Sequence, residues 1–87
     1  MKMYFTYVLR SQKDNQFYIG FTKDLKARIA MHNIGKVRST AGRQPLSLIY
    51  YEACLSEPDA INREKYLKTG YGRRYLSSRL ANDLMDS

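Results

Sequence analysis

Tyr4-Phe5-Thr6-Tyr7-Val8-Leu9-Arg10, then Lys13-Asp14-Asn15, then Phe17-Tyr18-Ile19-Gly20-Phe21-Thr22 is the stretch that decides the fold. Both flanks are aromatic and β-branched, as strands require. Asp and Asn between them tolerate the backbone angles of a tight turn. The stretch therefore predicts a hairpin. With the turn centred between Asp14 and Asn15, paired residue numbers sum to about 29. Tyr7, Leu9, Tyr18 and Gly20 then share one face, and Val8, Ile19 and Phe21 the other.

After the hairpin, Thr22 or Asp24 can cap a helix that runs to about Asn33, with Gly35 as its stop. Its stripe is Leu25, Ile29 and His32, and Arg28 lies one turn before His32. Residues 36 to 45 form a basic loop. Residues 46 to 53 predict a third strand whose nearly continuous apolar character places it centrally. Ser56-Glu57-Pro58-Asp59 opens a helix, with Ser as N-cap, Pro in the first turn and acid at the positive dipole end. That helix is expected to reach about Thr69, where Gly70 and Gly72 break it. A last helix from about Arg73 carries Leu76, Leu80 and Leu84. The fold class is α/β of the α+β kind: one domain over residues 1–87, with a small, mainly antiparallel three-stranded sheet flanked by helices in the order β-β-α-β-α-α.

The chain has 87 residues, enough for a single domain with a modest core. Its one cysteine, Cys54, excludes an internal disulfide and a cysteine-only zinc site. Its apolar neighbours mark Cys54 as a buried strand thiol. No apolar run approaches the ~18 residues of a membrane helix, and no signal-peptide core opens the chain, which predicts a cytoplasmic protein with no membrane role. Fifteen Lys and Arg against eight Asp and Glu give a net charge of +7. Eight cations fall between Arg10 and Arg43, opposed only by Asp14 and Asp24; six more fall between Arg63 and Arg79, opposed only by Glu64. Two basic blocks interleaved with tyrosines fit a phosphate backbone. Charge alone fits DNA, RNA or an anionic membrane equally.

Metal-ligand clusters, a Gly-rich phosphate loop and a Ser-His-Asp set are absent from the sequence. What remains is a constellation: Tyr7, Tyr18 and Gly20 on the hairpin, Arg28 and His32 on the first helix, Glu64 on the second. Each has an ordinary structural explanation beside the functional one. The tyrosines are equally packing or base-stacking residues, and a lone His is more often core or surface than catalyst. Gly20 within a strand marks close approach of a ligand or of backbone. Glu64 falls on the helix side with Ala60, Ile61 and Leu67, which faces the sheet. A carboxylate there needs a partner, either an arginine such as Arg63 or Arg28, or a bound cation.

These residues, in this order, resemble the GIY-YIG nuclease superfamily. Tyr7-Val8 followed by Tyr18-Ile19-Gly20 is similar to its paired elements. Gly20-Phe21-Thr22-Lys23-Asp24-Leu25-Lys26-Ala27-Arg28, continuing to His32-Asn33, is similar to its G-x-T-x-x-L-x-x-R…H pattern, and Arg63-Glu64-Lys65 leading to Leu67-Lys68 resembles its metal-binding helix. The likeness covers nearly the whole chain and is greatest to compact bacterial members related to the N-terminal nuclease of the UvrC repair protein.

The resemblance implies a divalent-metal-dependent endonuclease that hydrolyses DNA phosphodiester bonds. Tyr7 would be the general base, Tyr18 would hold the water or the phosphate, Arg28 would stabilise the phosphoryl oxygens, and His32 would assist. Glu64 would bind one Mg²⁺ or Mn²⁺. Gly20, Lys23, Lys36, Arg38 and Arg43 would meet the substrate. Hydrolysis in line needs a deprotonated water, cations at the oxygens and a Lewis acid. A phenol with its usual pKa of about 10 is a poor base at neutral pH, so the implied role requires help from nearby cations. Phe5-Thr6 departs from the first element, and Phe21 replaces a lysine of some members. An asparagine that several members use near the metal glutamate has no clear counterpart; Asn82 is remote. With little surface for reading sequence, selectivity is expected to come from branched, flapped or damaged DNA or from a protein partner, and the simplest state is a monomer. A nucleic-acid-binding domain with this fold but little cleavage is the alternative, and a small interaction module is a third possibility.

Overall fold

The computed structural model describes residues 2–85. Strand β1 (Tyr4–Ser11) pairs antiparallel with β2 (Phe17–Thr22) and with β3 (Leu46–Cys54), giving the order β2-β1-β3. Helix α1 (Leu25–Asn33) and a single 3₁₀ turn (Arg38–Thr40) separate β2 from β3; α2 (Glu57–Leu67), α3 (Gly70–Arg79) and α4 (Ala81–Met85) follow.

The predicted hairpin is present, with its register two residues from expectation. Tyr7 faces Gly20 and Val8 faces Ile19, so paired numbers sum to 27. Asn15 takes a left-handed φ of 59°, as its side chain allows. The buried Ser11 hydroxyl accepts from the Lys13 and Asp14 N–H groups and donates to the Arg43 carbonyl, tying the turn to the basic loop. A slip of two keeps parity, so the predicted faces survive. On one face Tyr7, Leu9 and Leu46 pack with Tyr18, Leu25 and Ile29 under α1. On the other, Val8 packs with Leu67, Leu76 and Leu80, flanked by Phe17, Ile19 and Ile49.

Three expectations are corrected. The central strand is β1, and β3 lies at an edge. The apolar look of β3 comes partly from Tyr50 and Tyr51, neither of which is fully buried. Tyr51 is half exposed beside Phe5, and the Tyr50 hydroxyl donates to Glu52 and meets that of Tyr75. Second, Gly70 and Gly72 do not end a helix. Lys68 caps α2, the Thr69 hydroxyl caps α3 by accepting from the Gly72 N–H, and both glycines lie inside α3. Gly72 is there because a Cβ would strike the Tyr66 carbonyl oxygen and the Leu67 backbone of α2. Third, Cys54 is only half buried at the end of β3, its thiol donating to the Ser56 carbonyl. No helix among the described residues is long and apolar enough to cross a membrane.

Candidate active site

Helix α1 begins at Asp24, whose carboxylate accepts from the Ala27 N–H at 3.1 Å, and it ends before Gly35, at φ 80°. Asn33 holds its far end against the sheet: its side-chain amide exchanges two hydrogen bonds with the backbone of Leu46, at 2.7 and 3.0 Å, as a neighbouring strand would. Pinned at both ends, α1 turns Arg28 and His32 toward β1. His32 is the sole residue of α1 that is fully buried.

The Tyr7 hydroxyl is where these residues meet. It lies 2.8 Å from His32 Nε2, and the Arg28 Nε–H donates to it at 3.3 Å. The imidazole edge meets the phenol ring at 73°. Gly20, directly across the ladder, supplies the space the ring occupies. A Cβ at Gly20 would sit 2.5 Å from Tyr7 Cζ and would overlap its oxygen. The close approach predicted at Gly20 is thus made by a side chain of the protein itself. On its far side, His32 Nδ1 lies 2.7 Å from the buried Thr40 hydroxyl. Burial, followed by the charge of Arg28, lowers the His32 pKa below its ordinary 6.5, so the imidazole is neutral at neutral pH.

Around the edge strand β2 runs a cleft of about 590 Å³. Tyr7, Tyr18, Gly20, Arg28 and His32 line it from the α1 side, Ile61, Glu64, Lys68 and Arg73 from α2 and α3. The predicted constellation therefore opens onto one space although its members come from opposite faces of the sheet. The Tyr18 hydroxyl is drawn toward Asp14, at 3.4 Å. Glu64 has a partner that was not among those expected: Lys68 Nζ, one turn on, donates at 3.0 Å. Arg63 instead forks onto Glu52 at 2.9–3.1 Å and covers the rings of Tyr66 and Tyr75. An exposed i,i+4 pair such as Glu64–Lys68 is worth only about 0.3–0.5 kcal/mol, so it yields readily to another cation.

Lys23, Lys36, Arg38 and Arg43 are exposed and do not line the cleft. Lys23 pairs with Glu57 and Arg43 with Asp14. The sequence reading missed Thr40, Lys68 and Arg73. Lys68 was legible as the i+4 partner of Glu64; a threonine inside a basic loop carries no local signal. No group of three or more His, Cys, Asp or Glu able to hold a metal occurs among the described residues. Glu64 alone suits Mg²⁺, which is commonly held by one or two carboxylates with substrate phosphate and water completing its shell.

Residues 3–76 match the family described as the GIY-YIG catalytic domain. A UPF0213 protein of Lacticaseibacillus paracasei is 46% identical over 68 residues, covering 77% of this chain and 75% of that one. Another, from Staphylococcus haemolyticus, is 40% identical over 70 residues, covering 79% and 84%. The solution NMR structure of a UPF0213 protein from Bacillus halodurans superposes with a TM-score of 0.55 at 30% identity, over 87% of this chain and 83% of that one. With a tyrosine hairpin, an arginine and histidine on the next helix and a glutamate across the cleft, this chain belongs to the GIY-YIG family of nuclease-type domains.

Proposed function

We propose that the protein is a divalent-metal-dependent endonuclease that hydrolyses DNA phosphodiester bonds, nicking branched, flapped or damaged duplexes. The observation that carries this reading is the Tyr7 hydroxyl, gripped by Arg28 and His32 in a cleft whose other wall bears Glu64. Three cations, Arg28, Lys68 and Arg73, line that cleft against one carboxylate, a balance that draws phosphate. A second depression of about 390 Å³ shares Phe17, Ile19 and Arg73 with it, so the two form one groove along the outer edge of β2. In this reading the groove takes the strand that carries the scissile phosphate. Lys23, Lys36, Arg38 and Arg43, lying outside it, contact more distant phosphates.

Tyr7 acts as a relay in this mechanism. As its oxygen takes a proton from the attacking water, its own proton passes to neutral His32 Nε2. No free phenolate has to accumulate. Arg28 steadies the negative charge that develops on the Tyr7 oxygen and on the phosphoryl oxygens. Tyr18 orients water or phosphate at the cleft mouth. Glu64 would hold Mg²⁺ or Mn²⁺, which supplies a Lewis acid for the departing oxygen.

Plasmid and branched or flapped oligonucleotides, incubated with Mg²⁺, Mn²⁺ or EDTA, test the reading. Metal-dependent nicking is expected, falling about 10²–10³-fold in Arg28→Ala and lost in Glu64→Ala. A domain that binds nucleic acid without cutting is the second reading, and the Lys68 ammonium on Glu64 speaks for it. Tight, salt-sensitive binding with no nicking in any metal would establish that reading in place of the first.

A further inference from the structure

We propose that Thr40 is a positioning residue that sets the tautomer of His32, leaving a bare Nε2 to receive the Tyr7 proton. The catalytic consequence rests on the relay proposed above; the tautomer does not.

The inference follows from counting hydrogens along one buried chain. Arg28 Nε–H is 3.3 Å from the Tyr7 oxygen, which is 2.8 Å from His32 Nε2. His32 Nδ1 is 2.7 Å from Thr40 Oγ1, and the Thr40 hydroxyl donates to the Val37 carbonyl at 3.5 Å. Arginine can only donate and a carbonyl can only accept, so both ends have fixed polarity. Between them stand a phenol, a neutral imidazole and a hydroxyl, with one hydrogen each. Four links and four hydrogens allow one arrangement that fills every link. In it Arg28 donates to Tyr7, Tyr7 to Nε2, Nδ1–H to Thr40, and Thr40 to Val37. With the ring proton on Nε2 instead, Thr40 must donate to Nδ1, the Val37 link is lost, and the Tyr7 hydrogen has no place in the chain.

The extra link, the long Thr40–Val37 contact at 3.5 Å, shifts such an equilibrium by about two- to threefold, and bonds aligned in one direction reinforce one another. Thr40 is fully buried and His32 is 2% exposed, so water does not stand in for Thr40 at Nδ1. The groups facing the imidazole are Tyr7 from β1, Arg28 from its own helix and Thr40 from the 3₁₀ turn; the remaining charges of the cleft are Glu64, Lys68 and Arg73. Thr40 thereby gives the basic loop a part in the site that its exposed cations do not have.

His32 is the single histidine of the chain, so a ¹⁵N long-range spectrum at pH 8 reads its tautomer without overlap. Free histidine favours the proton on Nε2; here the proton is expected on Nδ1. Thr40→Val, which keeps the shape and removes the hydroxyl, is expected to move the population toward Nε2–H by about two- to threefold. Thr40→Ser keeps the native pattern. A wild-type protein carrying the proton on Nε2 overturns the proposal whether or not the valine variant folds; so does a folded Thr40→Val protein that keeps it on Nδ1. In cleavage assays Thr40→Val is expected to lower kcat about two- to threefold with KM unchanged, and Thr40→Ser to restore it. A wild-type protein that never cleaves would refute the nuclease reading, while the spectrum still decides the tautomer.

Discussion

Gly20→Ala places a methyl group where the end of the Tyr7 ring now lies. The added Cβ would be 2.5 Å from Cζ and 2.9 Å from Cε2, and closer still to the hydroxyl. The ring must move, yet it is 2% exposed and its oxygen is tied to His32 and Arg28. Overpacking of this kind costs about 1–3 kcal/mol. Losing a hydrogen bond adds about 1 kcal/mol, and removing the conformational freedom of glycine returns roughly 0.5–1 kcal/mol. The net loss is about 1–3 kcal/mol, or about 5–20 °C in Tm for a domain of this size. Thermal unfolding of Gly20→Ala, Tyr7→Leu and the double variant forms the decisive cycle. Leucine lacks the three ring atoms that collide, so Gly20→Ala is expected to cost little in the Tyr7→Leu background, giving a coupling of about 1–2 kcal/mol. An equal cost in both backgrounds, or a Gly20→Ala protein as stable as the wild type, refutes the reasoning.

Gly72→Ala should be costlier still, because its Cβ meets the backbone of Tyr66 and Leu67, and backbone cannot rotate aside. Urea unfolding is expected to show a loss of about 3 kcal/mol or more, whereas Gly70→Ala, with nothing within 4 Å, should stay within about 0.5 kcal/mol. Stability should also depend on pH through His32. Its folded pKa is depressed, so the unfolded state binds the extra proton below about 6.5 and stability falls as pH falls from there toward the folded value. The slope is at most about 1.4 kcal/mol per pH unit. It should be present in pH-resolved chemical denaturation of the wild type and absent from His32→Gln.

The hairpin faces were legible because side-chain parity tolerates a register error of two, and the caps at Asp24 and Ser56 because each is a local hydrogen bond. The position of β3 was not legible. Hydrophobic count treats Tyr50 and Tyr51 as core residues, while Tyr51 is half exposed and the Tyr50 hydroxyl bonds Glu52 and Tyr75. Gly72 read as a breaker because turn chemistry is local, whereas its actual constraint is contact with another helix. Glu64 was expected on the sheet side of its helix with an arginine or a bound cation as companion; the structure pairs it with the i+4 lysine, Lys68. Thr40 had no signal at all, since its importance depends on a histidine that reaches it only after folding.

The sheet order ties these particulars together. Tyr7 sits on the central strand, so its ring is fixed by ladders on both sides and by α1 above. A substrate could not reach a central strand through the face of a covered sheet. Tyr7 still lines the cleft, because β2 is an edge strand and Gly20, directly opposite, has no side chain to block the end of its ring. The same open edge lets Glu64, mounted on the helix of the opposite face, line the space that holds Arg28 and His32. Had β3 been central, as its composition suggested, β1 would have been an edge and Tyr7 would have lost one of the two ladders that hold it. Rigidity at Tyr7 and access to it are thus separate demands, and the order β2-β1-β3 meets both with three strands.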